Sequence, residues 1–208
     1  MSFIETTHGR FECQQSGHCC TSSKILVTLT YLDIFNLFVH FDADFEQLLR
    51  KISFYKFKRY DNTNLLKQLV LKPLNTSDGI IIPGLKKLDN EVCIFYHKPN
   101  CTIYPRRPLA CQNYPFAFIR ENDFILSIWA KDAEKTCPGI GKGINVNKSS
   151  LQKIALTYYR IINEHNRVVE NINIEAETGR PLTARESLLI LLTYAQKSSE
   201  SPPIGKNI

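Results

Sequence analysis

The sequence predicts an α+β fold: a single compact domain with a cysteine-rich metal core, a short β-sheet or hairpin, and C-terminal helices. Three observations carry that expectation. Apolar residues recur at helical spacing near both ends of the chain, β-branched and aromatic runs bounded by Gly, Pro and Asn fill the middle, and seven cysteines fall into four segments. The 208 residues suffice for a hydrophobic core, so a bound metal need not be all that holds the chain together. The expected division is a cysteine-cluster domain over 1–147, a helical extension packed on it over 148–198, and a disordered tail over 199–208.

Residues 1–23 hold the first cysteines and few apolar positions, and read as an irregular metal loop. Thr30 and Asp33 form a capping-box pattern with Asp in place of Glu or Gln, opening a helix whose apolar positions are Ile34, Leu37, Phe38 and Phe41. Weaker helical patterns cover about 44–52 and 62–71, the latter with Leu65, Leu66, Leu69 and Val70 as its buried stripe. From residue 78, GIIIPGLKKL and NEVCIFYH read as strands and turns. FAFIR and FILSIW, joined by the polar residues Glu121 to Asp123, read as a β-hairpin. Its sheet would bring the Cys111 and Cys137 segments together. A long helix is expected over about 149–172, capped by Ser149 or Ser150, with Leu151, Ile154, Ala155, Tyr158, Ile161 and Ile162 on its buried face. Thr183 and Glu186 form a regular capping box for a last helix reaching about Lys197.

Composition excludes some function classes. The longest apolar run, LLILLTYA, falls far short of the ~20 residues that span a bilayer. Net charge is +6, with a modest cluster at Lys51, Lys56, Lys58 and Arg59 interleaved with Phe54, Tyr55 and Phe57. No nucleic-acid module surrounds that cluster, so it reads as the solvated basic face of a helix or loop. The N-terminus lacks the pattern of a secretory signal, and a cytoplasmic location is expected.

The cysteines are Cys13, Cys19, Cys20, Cys93, Cys101, Cys111 and Cys137. Thiolates are the softest protein ligands for zinc, iron and iron–sulfur clusters. A disulfide framework needs an oxidising compartment, and an odd count leaves one thiol over. All seven are therefore candidate metal ligands. One four-thiolate site leaves three cysteines, whereas two complete sites need eight ligands. Adjacent side chains on an extended chain point to opposite faces, so Cys19 and Cys20 would serve two metals or bridge them, unless a local turn brings both to one. A two-metal centre, or a cluster plus one labile cysteine, is the favoured arrangement. Around the ligands, Arg106 and Arg107 would offset thiolate charge, while Pro108, Pro115 and Pro138 fix the chain. Gly139, Gly141 and Gly143 would let backbone N–H groups approach sulfur, and Tyr104 and Tyr114 either wall the site or belong to the core.

Cys13-QQSGH-Cys19-Cys20 is similar to the CxxCGxCC signature of the cysteine-cluster family of zinc- or iron-chelating domain proteins. Cys101-TIYPRRPLA-Cys111-QNYPF resembles that family's second signature, CxIYxxRPxxCxxYPF, and Cys137-Pro-Gly resembles a late segment of some members. The likeness covers about residues 11–143. One position departs: Ser16 stands where the signature has its second cysteine, and whether His18 or His97 fills the gap stays open.

The resemblance implies a bound iron or zinc ion or an iron–sulfur cluster, with redox or Fe–S oxidoreductase-type activity as one expectation. A structural zinc module that binds a protein partner is the alternative. The family also includes flagellin lysine N-methylases, which implies a methylase-related subunit as a third reading. GIGKG at 139–143 has neither a phosphate-loop nor a dinucleotide-binding pattern. Expected partners are a metal ion or cluster and a protein, with neither membrane nor nucleic acid. No catalytic residue is identifiable.

Overall fold

The computed structural model describes residues 4–6, 9–57, 69–121 and 124–200. It is α+β as expected, with helices and small sheets. Among the described residues no helix is long and apolar enough to cross a membrane. The chain divides into two compact units: residues 1–27 with 87–160, and residues 28–86 with 161–208. All seven cysteines belong to the first.

In the first unit, β1 (Ile4–Thr6) and β2 (Arg10–Phe11) precede the helical turn α1 (His18–Thr21). The N-terminal stretch is therefore built from two short strands and a helical turn rather than wholly irregular. The expected hairpin forms: β8 (Phe116–Glu121) and β9 (Phe124–Trp129) pair antiparallel, with β1 added parallel to β9. The run NEVCIFYH contributes less strand than expected. Only β6 (Tyr96–His97) forms there, paired with β7 (Asn100–Cys101). The Arg10–Phe11 strand joins β10 (Ile144–Asn145) in a two-stranded ribbon. Phe11 packs edge-on to Phe116 at 5.3 Å, and Phe116 stacks on Trp129 at 5.1 Å. Those rings tie the N-terminal segment to the hairpin. Behind the hairpin, Ile125 and Ala155 form a buried cluster flanked by Phe118 and Tyr159. The Tyr159 hydroxyl donates to the Phe118 carbonyl at 2.9 Å, anchoring the helix that carries it to the outer strand.

That helix, α6 (Lys148–Thr178), follows α4 (Leu109–Asn113) and α5 (Ala133–Thr136) and continues into the second unit. Its cap is Asn147, not Ser149 or Ser150. The Asn147 side-chain oxygen accepts from the Ser149 N–H at 2.9 Å and the Ser150 N–H at 3.1 Å. Asn and Ser rank alike at this position, so sequence order alone did not separate them.

The second unit contains α2 (Tyr31–His40), α3 (Phe45–Leu49), β3 (Ile52–Phe57), β4 (Leu74–Thr76), β5 (Gly79–Leu85), the rest of α6, and α7 (Ala184–Glu200). Its sheet runs β3-β5-β4, antiparallel throughout. Both capping boxes are present. Asp33 reaches back to the Thr30 N–H at 2.9 Å, and Glu186 to the Thr183 N–H at 2.8 Å. The Phe54–Tyr55–Phe57 segment is the strand β3, correcting the helix-or-loop expectation; its aromatics are half-buried and only Lys56 of the strand is exposed. Lys58 and Arg59, and most of the helix expected at 62–71, lie outside the described residues, as do 201–208 of the tail. Leu29, Ile34, Leu37, Leu48, Leu74, Ile81, Ile82, Leu188 and Leu191 are fully buried and form this unit's interior. Side-chain amides of α6 fasten β4: Asn173 accepts from the Asn75 N–H at 2.8 Å and donates to the Pro73 carbonyl at 3.0 Å.

Fully buried His165 of α6 lies among these apolar groups, its ring stacked near that of Tyr31. Its Nδ1 accepts the Tyr31 N–H at 3.0 Å, satisfying a donor at the first turn of α2. Nε2 has no partner among the described residues. Burial pushes the imidazole pKa down to about 4, from an ordinary value near 6.5. Protonation would also turn Nδ1 from acceptor to donor, facing an N–H. The folded state thus binds its proton later than the unfolded chain. Stability from this group is complete above pH ~6.5 and is lost as pH falls toward 4, by roughly 3 kcal/mol. Urea unfolding at pH 7, 5.5 and 4 should show this loss, and His165→Gln should flatten that segment of the profile. An equally steep profile in the variant would assign the acid sensitivity to other groups.

Candidate metal centre

Gly17 starts the site. It caps α1 with φ +74°, a left-handed conformation that glycine adopts freely. A Cβ there would fall 2.2 Å from the Tyr96 hydroxyl oxygen, so the tyrosine occupies the space that a side chain would need. Tyr96 itself pairs with Cys101 across the β6–β7 hairpin. One ring thus carries the Cys101 hairpin onto the turn that bears Cys19 and Cys20. The Cys93 N–H donates to the Cys20 carbonyl at 2.8 Å, and the Tyr96 N–H to the Cys93 carbonyl at 2.9 Å. The Lys87 ammonium holds the far end of α1 through the Ser22 carbonyl at 2.8 Å. Three separate stretches of chain are joined here by backbone and ring contacts.

These contacts join the stretches that carry four of the cysteines. Cys19 and Cys20 share one helical turn instead of an extended strand, and their sulfurs lie 4.0 Å apart. The premise that placed them on opposite faces is therefore corrected, because the turn that starts at Gly17 swings both the same way. Their hydrogen bond holds the Cys19 thiol below its ordinary pKa, with the Arg107 charge assisting, while the same bond and burial push Cys20 up. The nearby Cys93 and Cys101 charges push Cys20 further in that direction. Burial raises Cys93 and Cys101 as well, opposed in each case by a backbone N–H two residues ahead, from Phe95 and Ile103. Amides aimed at sulfur stabilise thiolate, as they do around metal-bound sulfur.

Cations complete the surroundings. Arg107 lowers the pKa of Cys19 and Cys101, lies 3.8 Å above the Tyr104 ring, and donates Nε to the Tyr104 carbonyl at 3.1 Å. Lys87 exerts the same pull on Cys93. Four thiolates around a divalent ion would carry a net charge of two negatives, which Arg107 offsets together with Lys87, itself 3.8 Å from the Glu91 carboxylate. Arg106, by contrast, is exposed on the short turn Tyr104–Arg106.

The remaining cysteines have neighbours of their own. Cys13 is exposed and hydrogen-bonded to the Tyr104 hydroxyl. Cys137 follows α5 and, like Cys19, pushes up the Tyr114 phenol, whose largest upward cause is burial. Cys111 is half-buried on α4. Two residues on, Asn113 Nδ2 is buried without a partner among the described residues, an N–H donor of the kind a thiolate accepts. Gly139 and Gly143 lie against Glu12, where a Cβ would sit 2.4 Å from its carbonyl oxygen and 2.5 Å from its Cβ respectively. Gly141 has open space around the same point.

The donor set fits a thiophilic ion in chemistry and charge. Two sulfurs on one tetrahedral zinc lie ~3.8 Å apart, given Zn–S bonds of ~2.3 Å, and the Cys19–Cys20 separation is close to that edge. Among the described residues, no three Cys, His, Asp or Glu side chains already converge on a single ligating point. Among the described residues no third donor joins the Cys19–Cys20 pair. His18 is half-buried at the start of α1 and His97 is exposed on β6, so neither completes a three-donor group. Sequence reasoning missed Gly17, Lys87 and Tyr96. The signal for Gly17 was present, since a glycine just before a helical turn suggests a left-handed cap.

A family model described as "Putative zinc- or iron-chelating domain" matches residues 12–138, a span that includes all seven cysteines. The chain belongs to this CxxCxxCC family. In this member the signature reads Cys13-QQ-Ser16-GH-Cys19-Cys20, with serine at the second cysteine position. Among curated proteins, an uncharacterized protein of Chlamydia muridarum (strain MoPn / Nigg) is 24% identical over 116 residues. The alignment takes in 54% of this chain and spans 19% of that relative's length. No solved structure matches.

Two outcomes follow from the geometry. Gly17→Ala forces a side chain into both the left-handed cap and the Tyr96 ring. It should destabilise the fold by more than the ~1–2 kcal/mol of the conformation alone, measured by chemical unfolding. Gly9→Ala, with open space around it, serves as the control and should be silent. In metal-free protein at neutral pH, Cys19 should be the first of the four gathered thiols to alkylate, and Cys20→Ala should slow it. Peptide mapping of iodoacetamide adducts reads both results.

Proposed function

We propose that the cysteine unit holds a single zinc or iron ion through Cys19, Cys20, Cys93 and Cys101. The 4.0 Å separation of Cys19 and Cys20 carries this reading. It suits two ligands on one tetrahedral ion, whereas a four-iron cluster places each thiolate on its own iron and so spreads the sulfurs. When bound, the ion supplies cross-linking between α1, the Cys93 segment and the β6–β7 hairpin. The protein's own groups assist: Arg107 and Lys87 offset thiolate charge, and the Phe95 and Ile103 amides favour the thiolate against the burial that raises Cys93 and Cys101. A four-thiolate shell leaves no open position, which favours holding or handling a metal over Lewis-acid chemistry. Membership in the chelating family supports the choice of zinc or iron.

Metal analysis and absorption spectra of anaerobically isolated protein test the proposal. One zinc or iron per chain without acid-labile sulfide is expected, and a brown protein with labile sulfide would replace the single ion by a cluster. Cys93→Ser and Cys101→Ser should each lose the ion and lower the unfolding midpoint, since four-ligand zinc sites contribute ~10–16 kcal/mol of apparent binding free energy in peptides. Full stoichiometry in both variants would remove these residues from the site.

A further inference from the structure

The sheet β1-β9-β8 leaves β8 at its edge, and among the described residues no strand pairs with the far side of β8. One hydrogen bond tells which backbone groups face that side. The Ala130 N–H donates to the Pro115 carbonyl at 2.7 Å, in the register that sets Phe116 opposite Trp129. Hydrogen-bonded and non-hydrogen-bonded positions alternate along an antiparallel pair. Residues 115, 117 and 119 therefore turn their backbone groups toward β9, and Phe116, Phe118 and Arg120 turn theirs outward.

An outward row of this kind is a template for another strand, and the sequence here does little to discourage one. FAFI and FILSIW are uncharged and rich in aromatic and β-branched residues. Phe118 and Ile125 pack toward α6, yet Ile119, on the opposite face, is apolar and 40% exposed. A hairpin with one solvated face would carry polar residues there. Arg120 is the one charge in the stretch 116–120.

Tyr159 meets this edge. Its hydroxyl donates to the Phe118 carbonyl at 2.9 Å. The Arg120 backbone N–H, the next outward donor along the strand, acts on the same oxygen and draws its pKa down against the burial that pushes it up. One phenol thus engages an outward acceptor and an outward donor in the middle of β8. Its ring is held there by the Ile125–Ala155 cluster and by the edge of Tyr158, whose own ring lies 5.6 Å from Phe118.

We propose that Tyr159 guards this edge: its hydroxyl occupies the slot on β8 where a second copy of this chain would otherwise add its own β8. A second copy is the occupant because an antiparallel strand edge is complementary to itself. A two-fold axis at Ile119 matches outward Phe118 with outward Arg120 and lays the two exposed isoleucines side by side. Without the hydroxyl, the outward carbonyl and N–H lose their partner, and pairing with another copy restores both bonds.

The test uses the full-length chain under a reductant, so that no disulfide contributes. Sedimentation velocity over a concentration series reads association, and amide hydrogen exchange in the dilute protein reads the Arg120 N–H. Tyr159→Phe, which deletes only the hydroxyl, should tighten self-association and speed Arg120 exchange, each by roughly tenfold or more. Tyr159→Ala, which also clears the ring from the edge, should associate more tightly still. Adding Ile119→Lys to Tyr159→Phe should return association to the parental level, because it sets like charges opposite one another. Tyr158→Phe, one residue away on α6, should match the parent in both readouts. Parental association in both Tyr159 variants would overturn the proposal whatever the exchange rates, and leave the tyrosine a helix anchor. Association that survives Ile119→Lys, or that Tyr158→Phe reproduces, would overturn it too, since the contact would then lie away from the β8 edge.

Discussion

The hydrogen bond from the Cys93 N–H to the Cys20 carbonyl joins the double-cysteine turn to a stretch distant in sequence, and the proposed metal centre depends on that join. Without it, Cys19 and Cys20 would be two thiols on a short exposed turn with nothing to face. With it, Cys93 is set beside them, and Tyr96, three residues on, leans its ring over Gly17. The hairpin that follows then delivers Cys101. A left-handed glycine, one backbone bond and one ring thus assemble donors from three segments. None of these parts is itself a metal ligand.

Electrostatics then shapes what the assembly can hold. Four thiols near one another resist joint ionisation, and burial adds to that resistance for Cys20, Cys93 and Cys101. The backbone amides of Phe95 and Ile103, with Arg107 and Lys87, oppose it. A divalent ion removes most of the remaining repulsion, so the same groups that are mismatched without metal become matched with it.

Much of the second unit could be read directly from the chain. The Thr30–Asp33 and Thr183–Glu186 capping boxes, the apolar stripes of α2 and α7 and the long helix α6 are local patterns, and local hydrogen bonding suffices to express them. The Phe116–Trp129 hairpin also followed from alternation around a polar turn. Errors arose where local signals tied or were absent. Asn147 and Ser149 are equally good caps, and the aromatic Phe54–Phe57 run lacked a helical period but was judged by its charge. His165 gave no warning in sequence, because a histidine on an apolar helix face looks the same whether or not a distant helix offers it an N–H.

Residue type and spacing, by themselves, determined that this is an α+β chain of the zinc- or iron-chelating cysteine family, with thiols as its reactive inventory. Soft-ligand chemistry is a property of the cysteine side chain and needs no fold to be recognised. Only the tertiary structure decided which stretches meet: the Cys93 N–H on the Cys20 carbonyl, and the Glu12 N–H on the Gly139 carbonyl. Grouping depends on contacts between residues far apart in sequence, such as Tyr96 on Gly17 and Glu12 on Gly139, and spacing along the chain carries no record of them. The adjacent pair shows the difference most clearly. As sequence, Cys19-Cys20 admitted opposite faces or one; the helical turn after Gly17 put both sulfurs 4.0 Å apart on one side.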